Sequence, residues 1–126
     1  MLKYILLVCL GVFTFAVELS GQAIDSKKPQ AYKFAEFGNI SSSELGKTVN
    51  AFCREYHKNE ESQGFIINYG PPSRIKARRR EIFQSSRCFS TYDPPRITWV
   101  DGPSEPKIRT VLWIVPPRGE LPKISK

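Results

Sequence analysis

The sequence predicts an α/β domain of the mixed α+β kind, in which two helices pack on a small mixed sheet in the order β-α-β-α-β-β. Three observations lead to this prediction. The stretch ISSSEL, residues 40–45, has the pattern that starts a helix, and GFIINYG, residues 64–70, has the length and composition of a buried strand. Strand-like and helical segments also alternate along the chain with short connections, which is typical of helices packed on one sheet.

The first 23 residues have the features of a secretory signal peptide. Lys3 precedes an uncharged apolar run from Tyr4 to Val17, and the small residues Gly21 and Ala23 follow it, so we expect cleavage after Ala23. The run is shorter than the roughly 20 apolar residues that span a bilayer. An uncleaved anchor or a buried strand is the alternative. The sequence therefore predicts an exported protein, periplasmic and envelope-bound or secreted, with no transmembrane segment after cleavage and no nucleic-acid partner.

The mature chain is predicted to begin with a flexible leader, a strand and a helix. Residues 24–31 are polar and lack periodicity, whereas residues 32–37 alternate as a strand does. Ser41 and Glu44 have the spacing of a capping box, in which each residue satisfies a backbone donor of the other, so a helix is expected over residues 42–58. The residues predicted to form its buried face are Leu45, Val49, Phe52, Cys53 and Tyr56.

A second strand and a second helix are predicted next. The strand covers residues 64–70, and Ser73 is expected to cap a helix over residues 73–87. The side chains expected to face the sheet are those of Ile75, Arg79, Ile82 and Phe83. The side chains expected to face water or a ligand are those of Arg74, Lys76, Arg78 and Arg80.

Two further strands are predicted to close the domain. Residues 96–102 read RITWVDG and end in an Asp-Gly turn, and residues 110–115 read TVLWIV. Trp99 and Trp113 lie on these strands and are expected to pack on the sheet, a platform for ligand stacking being the alternative. The chain ends in the proline-rich stretch PPRGELPKISK, of which residues 119–126 are predicted to be a flexible tail.

The cysteines indicate a disulfide and no catalytic or metal site. Cys53 and Cys88 remain after cleavage, and an oxidising compartment favours their pairing across a 35-residue loop, with two buried free thiols as the alternative. His57 lies four residues after Cys53, but two ligands do not close a metal site. We find no pair of catalytic acids, no phosphate-binding loop and no nucleotide fingerprint. The sequence therefore predicts a protein that is not an enzyme and holds no metal or cofactor.

Charge points to an anionic partner. The chain has a formal net charge of +7, and the stretch SRIKARRREIF concentrates positive charge in the second predicted helix. The cations of this stretch, which we predict as a site for an anionic or carboxylate ligand, are Arg74, Lys76, Arg78, Arg79 and Arg80. In an exported protein the ligand would be a cell-wall polymer, an acidic polysaccharide or an anionic lipid headgroup. A solvated helix face without a ligand is the alternative.

Three segments together resemble a known family. YKFAEFGNISSSEL, GFIINYG and RITWVDGPSEPKIRTVLWIVPPRGELP are similar, in order and spacing, to segments of small exported bacterial proteins with a divergent OmpA-like domain. The resemblance covers residues 32–118 and implies a single OmpA-like domain. It also implies binding of peptidoglycan through the carboxylate of diaminopimelate, held by an aspartate after the second strand and an arginine of the second helix.

Placing the family's pattern on this chain selects one of two arginines. Alignment on apolar residues at four-residue spacing selects Arg79, and alignment on an Ala-Arg pair selects Arg78. The chain departs from the pattern at NYGPPS, which has no acid where the aspartate belongs. The resulting prediction is an exported, non-catalytic envelope module that contacts peptidoglycan or another anionic cell-wall polymer through its Arg-rich helix. The alternative is a structural or protein-interaction domain with no retained peptidoglycan site.

Overall fold

The computed structural model describes residues 29–89 and 96–124. The predicted signal peptide and residues 24–28 of the predicted leader lie outside these ranges. The described part has the predicted α+β class, with two helices and a four-stranded mixed sheet. In chain order the elements are β1 (Tyr32–Phe37), α1 (Ser42–His57), β2 (Gln63–Tyr69), α2 (Pro72–Ser85), a short 3-10 helix (Arg87–Phe89), β3 (Ile97–Asp101) and β4 (Arg109–Val115).

The sheet has the strand order β1-β4-β2-β3. β4 is antiparallel to both of its neighbours, and β2 is parallel to β3. A parallel pair needs a crossover connection, and α2 supplies it because it leaves the end of β2 and returns the chain to the start of β3. The strand β3 therefore forms one edge of the sheet, beside α2.

The start of α1 is confirmed where the sequence predicts it. The side chain of Ser41 accepts a hydrogen bond from the backbone N–H of Glu44 at 3.2 Å, and the helix begins at Ser42. The five residues predicted for its inner face are all buried. α1 therefore packs on the sheet through the face that its apolar spacing indicates.

The start of α2 differs from the prediction. Pro71 is the capping residue, Pro72 is the first helical residue, and no side chain caps the helix. Pro72 fits this position because its fixed φ is helical and its missing N–H would have had no partner in the first turn. Ser73 therefore lies inside the helix and the prediction that it is the cap is wrong.

One hydrophobic core fills the space between the helices and the sheet. Its buried members are Leu45, Val49, Phe52, Cys53, Tyr56, Ile66, Ile82, Phe89, Leu112 and Ile114. Trp99 packs against this core through the ring of Phe89, with 5.5 Å between ring centroids. Trp113 packs on the other side of the sheet with a smaller cluster of Ile67, Tyr69 and Val111. Both tryptophans pack on the sheet as expected, and both keep a partly exposed surface.

The Cα separation required for the predicted disulfide is met. A bond joins Cys53 of α1 to Cys88 of the 3-10 helix, and the two Cα atoms lie 6.4 Å apart. This separation falls in the usual range of roughly 4.4–6.8 Å. The bond ties the segment after α2 to the inner face of α1.

The pairing of the chain extends beyond the predicted domain limits of 32 and 118. Gln30 forms a parallel bridge with Glu120, and the N–H of Glu120 donates to the carbonyl of Pro29 at 3.0 Å. Part of the predicted leader therefore contacts part of the predicted tail. Within residues 29–89 and 96–124, neither helix is long and apolar enough to cross a membrane.

Candidate functional site

α2 separates the five predicted site cations into three environments. Successive residues of an α-helix are about 100° apart around its axis, so neighbouring arginines point in different directions. Arg78 lies in the buried face with Ile75 and Ile82. Arg74 lies on one side of that face, and the exposed side chains on the other side are those of Lys76, Arg79, Arg80 and Phe83. We call this second group the cationic flank of α2.

Arg78 is a buried arginine that joins three parts of the fold. It is 3% exposed. Its Nη1 donates to Oγ1 of Thr110 at 2.9 Å, its Nη2 donates to the carbonyl of Gly38 at 2.8 Å, and its Nε donates to Glu81 at 3.2 Å. Burial lowers the pKa of Arg78, and the nearby Glu81 carboxylate partly offsets this effect. The prediction that Arg78 faces water or a ligand is therefore wrong.

The contacts of Arg78 continue to the end of β2. Oγ1 of Thr110 donates to Oδ1 of Asn68 at 2.6 Å, and both residues are fully buried. Arg78, one of the two arginines that the resemblance selects, thus lies near the end of β2, as binding of a ligand carboxylate at that place would require. The three hydrogen bonds that Arg78 makes, however, all go to groups of the protein itself.

Arg79 was predicted to face the sheet, but it lies at the edge of the sheet. Its Nη1 is 3.6 Å from Oδ1 of Asp101, the last residue of β3, and its Cζ lies 5.6 Å from the ring centroid of Trp99. About half of the Arg79 side chain, 47%, is exposed. The guanidinium is therefore oriented by a ring and a carboxylate while part of it remains in contact with solvent.

A shallow groove of about 350 Å³ lies between the cationic flank and β3. The residues lining it are Arg79, Arg80, Phe83 and Trp99. Phe83 is 53% exposed, which corrects the prediction that it faces the sheet. Its ring stacks on that of Phe89, with 5.9 Å between centroids, so its inner side is packed and its outer side is open. The groove combines two exposed cations with two aromatic rings.

Charge on α2 is poorly balanced by acids. Among the described residues, Arg74, Lys76 and Arg80 form no ion pair. No acid occupies the first turn of the helix, where an acid would interact well with the helix dipole. The charge of Arg74 also contributes to the lowered pKa of Arg78. The exposed cations of α2 are therefore available to an anion from outside the protein.

A second cationic centre, Arg109, was not predicted from the sequence. Acidic side chains of the protein neutralise it. Arg109 donates to Glu105 from Nε at 3.3 Å and from Nη2 at 2.8 Å, and to Glu36 from Nη1 at 2.7 Å. Its Cζ lies 3.9 Å from the ring centroid of Tyr69. The hydrogen bond with Glu105 is the largest cause of the raised pKa of Arg109. The four-residue spacing of Glu105 and Arg109 was the only signal in the sequence, and it does not indicate a ligand.

Another groove, of about 760 Å³, lies over the disulfide between the ends of α1 and α2. The cations that line it are Arg54, Lys58 and Arg87, and His57 lies beside them. Positive charge at the end of α1 interacts favourably with the helix dipole, and Lys58 already pairs with Glu55 at 3.0 Å. Nδ1 of His57 is bound to the carbonyl of Cys53 at 2.7 Å. Within the ranges that the structure describes, no three His, Cys, Asp or Glu side chains are placed to hold a metal ion.

The chain matches no model of a protein family, no curated protein and no solved structure. The case for a function therefore depends on the side chains themselves. Of the five predicted site residues, Arg79 and Arg80 line the groove beside two aromatic rings, and Lys76 is exposed on the same side of α2. Arg74 is separate from them, and Arg78 is buried.

Proposed function

We propose that the protein is an exported, non-catalytic module of the cell envelope that binds an anionic cell-wall polymer through the cationic flank of α2. The observation that carries this proposal is that three cations, Lys76, Arg79 and Arg80, are exposed on one side of a helix. Of these three cations, only Arg79 has an acidic partner among the described residues, and that contact is long at 3.6 Å. A concentration of positive charge on one face attracts polyanions and accelerates their association.

The N-terminal turn of α2 supports binding of an anion rather than simple solvation. Arg74 lies in the first turn, where the helix dipole is positive, and such a contact costs tenths of a kcal/mol. A polyanion bound along the helix would remove this repulsion. The overall net charge of +7 has the sign that this partner requires.

Export restricts the choice of polymer. The predicted signal peptide and the Cys53–Cys88 pair are compatible with an oxidising compartment outside the cytosol. The anionic polymers of that compartment include peptidoglycan and acidic polysaccharides, and the resemblance to the OmpA-like domain makes peptidoglycan the first to test. Nucleic acid is not a partner in this proposal.

A structural or protein-interaction role without a peptidoglycan site is the second candidate. One observation favours it: the guanidinium of Arg78, one of the two arginines selected by the resemblance, donates to Thr110, Gly38 and Glu81. No acid accompanies it in the turn between β2 and α2, which reads Gly70-Pro71. Under this candidate the exposed cations only keep the protein soluble.

Co-sedimentation with purified peptidoglycan and with an acidic polysaccharide, repeated over a series of salt concentrations, separates the two candidates. The test variant is the double substitution K76Q/R80Q, which removes two charges of the cationic flank. The matched control is K47Q/R54Q, which removes two exposed charges from α1 and leaves the same net charge.

The proposed function predicts that K76Q/R80Q sediments much less with one of the polymers than either the wild type or K47Q/R54Q does. Equal losses in both variants, with binding that disappears at modest salt, would indicate attraction by net charge alone. No sedimentation of the wild type with either polymer at low salt would favour the second candidate.

A further inference from the structure

We infer that the groove between α2 and β3 holds one sugar ring that carries a carboxylate. The ring would lie on Phe83 and Trp99, and the carboxylate would bind Arg79 in the place now taken by Asp101. This inference rests on the proposed function and specifies the repeating unit of the polymer that the cationic flank binds.

The aromatic rings of the groove present open faces, which binding of a plain polyanion does not require. Phe83, Phe89 and Trp99 form a continuous series, with centroid separations of 5.9 Å and 5.5 Å. Phe89 is buried and supports the outer two rings, which remain partly or largely open to solvent. The C–H bonds on one face of a sugar ring are weakly positive and apolar, and the faces of aromatic rings are negative and apolar, so the two surfaces are complementary.

Arg79 is placed to hold a carboxylate at the end of this series. Its guanidinium lies over Trp99, with Cζ 5.6 Å from the ring centroid, and contacts with an aromatic face reduce its freedom to rotate. The planar guanidinium can then present two parallel N–H groups to one carboxylate. Lys76 and Arg80 are exposed on the same flank and can bind the carboxylates of neighbouring units.

Asp101 is the internal competitor of the ligand. Its Oδ1 lies 3.6 Å from Nη1 of Arg79, which is longer than a hydrogen bond, and the two side chains are 58% and 47% exposed. An exposed pair of this kind contributes little free energy and is readily replaced. Asp101 therefore directs Arg79 toward the groove in the free protein and is displaced when a ligand carboxylate arrives.

The size of the groove matches one ring. Its volume of about 350 Å³ is at the small end of the range for ligand sites, roughly 300–1,000 Å³. A shallow site of this size holds a single unit of a polymer, and the remaining affinity comes from the flanking cations. An acidic peptide would bind those cations without contacting the aromatic rings. Comparing an acidic sugar polymer with an acidic peptide therefore tests whether the rings contribute.

The test is calorimetric titration of the full exported chain with an oligogalacturonate and with a poly-glutamate that has the same number of carboxylates. We expect tighter binding of the oligogalacturonate by the wild type. R79K keeps the charge but loses the paired N–H groups, so it should weaken binding of oligogalacturonate about tenfold and of poly-glutamate little. F83A should act in the same direction, and urea unfolding of both variants will show whether each is folded.

Substitution of Asp101 should raise the affinity for oligogalacturonate, whereas substitution of Arg79 or Phe83 should lower it. D101N should bind oligogalacturonate about two- to fivefold more tightly, since the competing exposed ion pair is lost. E60Q adds the same net charge in the turn after α1 and should leave the affinity unchanged. Unchanged or weaker binding by D101N would overturn the role of Asp101.

Failure of the sugar inference can be distinguished from failure of the proposed function. Equal affinity of the wild type for oligogalacturonate and poly-glutamate, with no selective loss in R79K or F83A, would overturn the sugar site and leave a polyanion-binding flank. Absence of binding to both polymers at low salt would overturn the proposed function and this inference together.

Discussion

Arg78 and Thr110 form a buried hydrogen bond of 2.9 Å although 32 residues separate them in the chain. The bond joins α2 to β4 across the core, and the same guanidinium reaches the carbonyl of Gly38 at the end of β1. A buried cation costs free energy unless its donors are satisfied, and here three acceptors surround it. The position of Arg78 is therefore explained by the fold and requires no ligand.

Replacing Arg78 by alanine should destabilise the protein by about 3 kcal/mol, because buried acceptors lose their donor and a cavity opens. Urea unfolding of R78A and of the wild type measures this difference. R80A is the matched control and should change the free energy of unfolding by less than about 0.5 kcal/mol, since Arg80 is exposed. A loss below about 1 kcal/mol in R78A would contradict the structural role of Arg78.

The inward direction of Arg78 could not have been predicted from the sequence. The start of α1 was predictable because the Ser41 and Glu44 pattern acts locally, within one turn of helix. In α2 only Ile75 and Ile82 mark the buried face, and Arg78 and Arg79, three and four residues after Ile75, fit it about equally well. The choice among them depends on Thr110 and Gly38, which are far away in the chain.

Some residues of the groove between α2 and β3 could be predicted from the sequence, but the groove itself could not. The cations of the second helix and Trp99 were identified from the sequence, but the exposure of Phe83 was not, because an aromatic residue in a helix is more often part of the core. Phe89, which supports Phe83, belongs to a short 3-10 helix with no recognisable pattern. The meeting of α2 and β3 depends on the crossover between β2 and β3.

Loss of the disulfide should destabilise the protein by about 3–4 kcal/mol, as expected for a cross-link between residues 35 apart. Thermal unfolding of the oxidised protein, of the reduced protein and of C88S measures the effect. Reduction should lower the unfolding temperature of the wild type and leave that of C88S unchanged. Equal unfolding temperatures for the oxidised and the reduced wild type would contradict the prediction.

Stability should fall in acid partly through Glu36. Hydrogen bonds with Lys33, and then with Arg109, lower the pKa of Glu36 from its ordinary value of 4.5. The unfolded chain then binds a proton more readily than the folded one, so the contribution of Glu36 is present above about pH 4.5 and is lost as the pH falls through the lowered pKa. E36Q should be less stable than the wild type near about pH 7, by less than about 1 kcal/mol, and equally stable near about pH 2. Urea unfolding at both pH values tests this, and a difference that persists in acid would contradict it.

Gly70 should not tolerate a side chain. Its φ of +147° is a conformation that L residues rarely adopt, and an added Cβ would lie 3.1 Å from the Cα of Ile108. G70A should therefore lose at least about 2 kcal/mol of stability in urea unfolding. G46A in α1 is the control, because its added Cβ would meet its nearest atom at 3.6 Å, and it should be neutral or stabilising by up to about 1 kcal/mol. Similar behaviour of the two variants would contradict this assignment.

The most direct test of the cationic flank is a titration of ¹⁵N-labelled protein with oligogalacturonate, followed by NMR. We expect the largest shift changes at the backbone amides of Lys76, Arg79, Arg80 and Phe83 and at the indole N–H of Trp99. The amides around Arg54, in the groove over the disulfide, should shift little. Changes centred on Arg54, or no changes at low salt, would contradict the claim that the flank of α2 is the binding site.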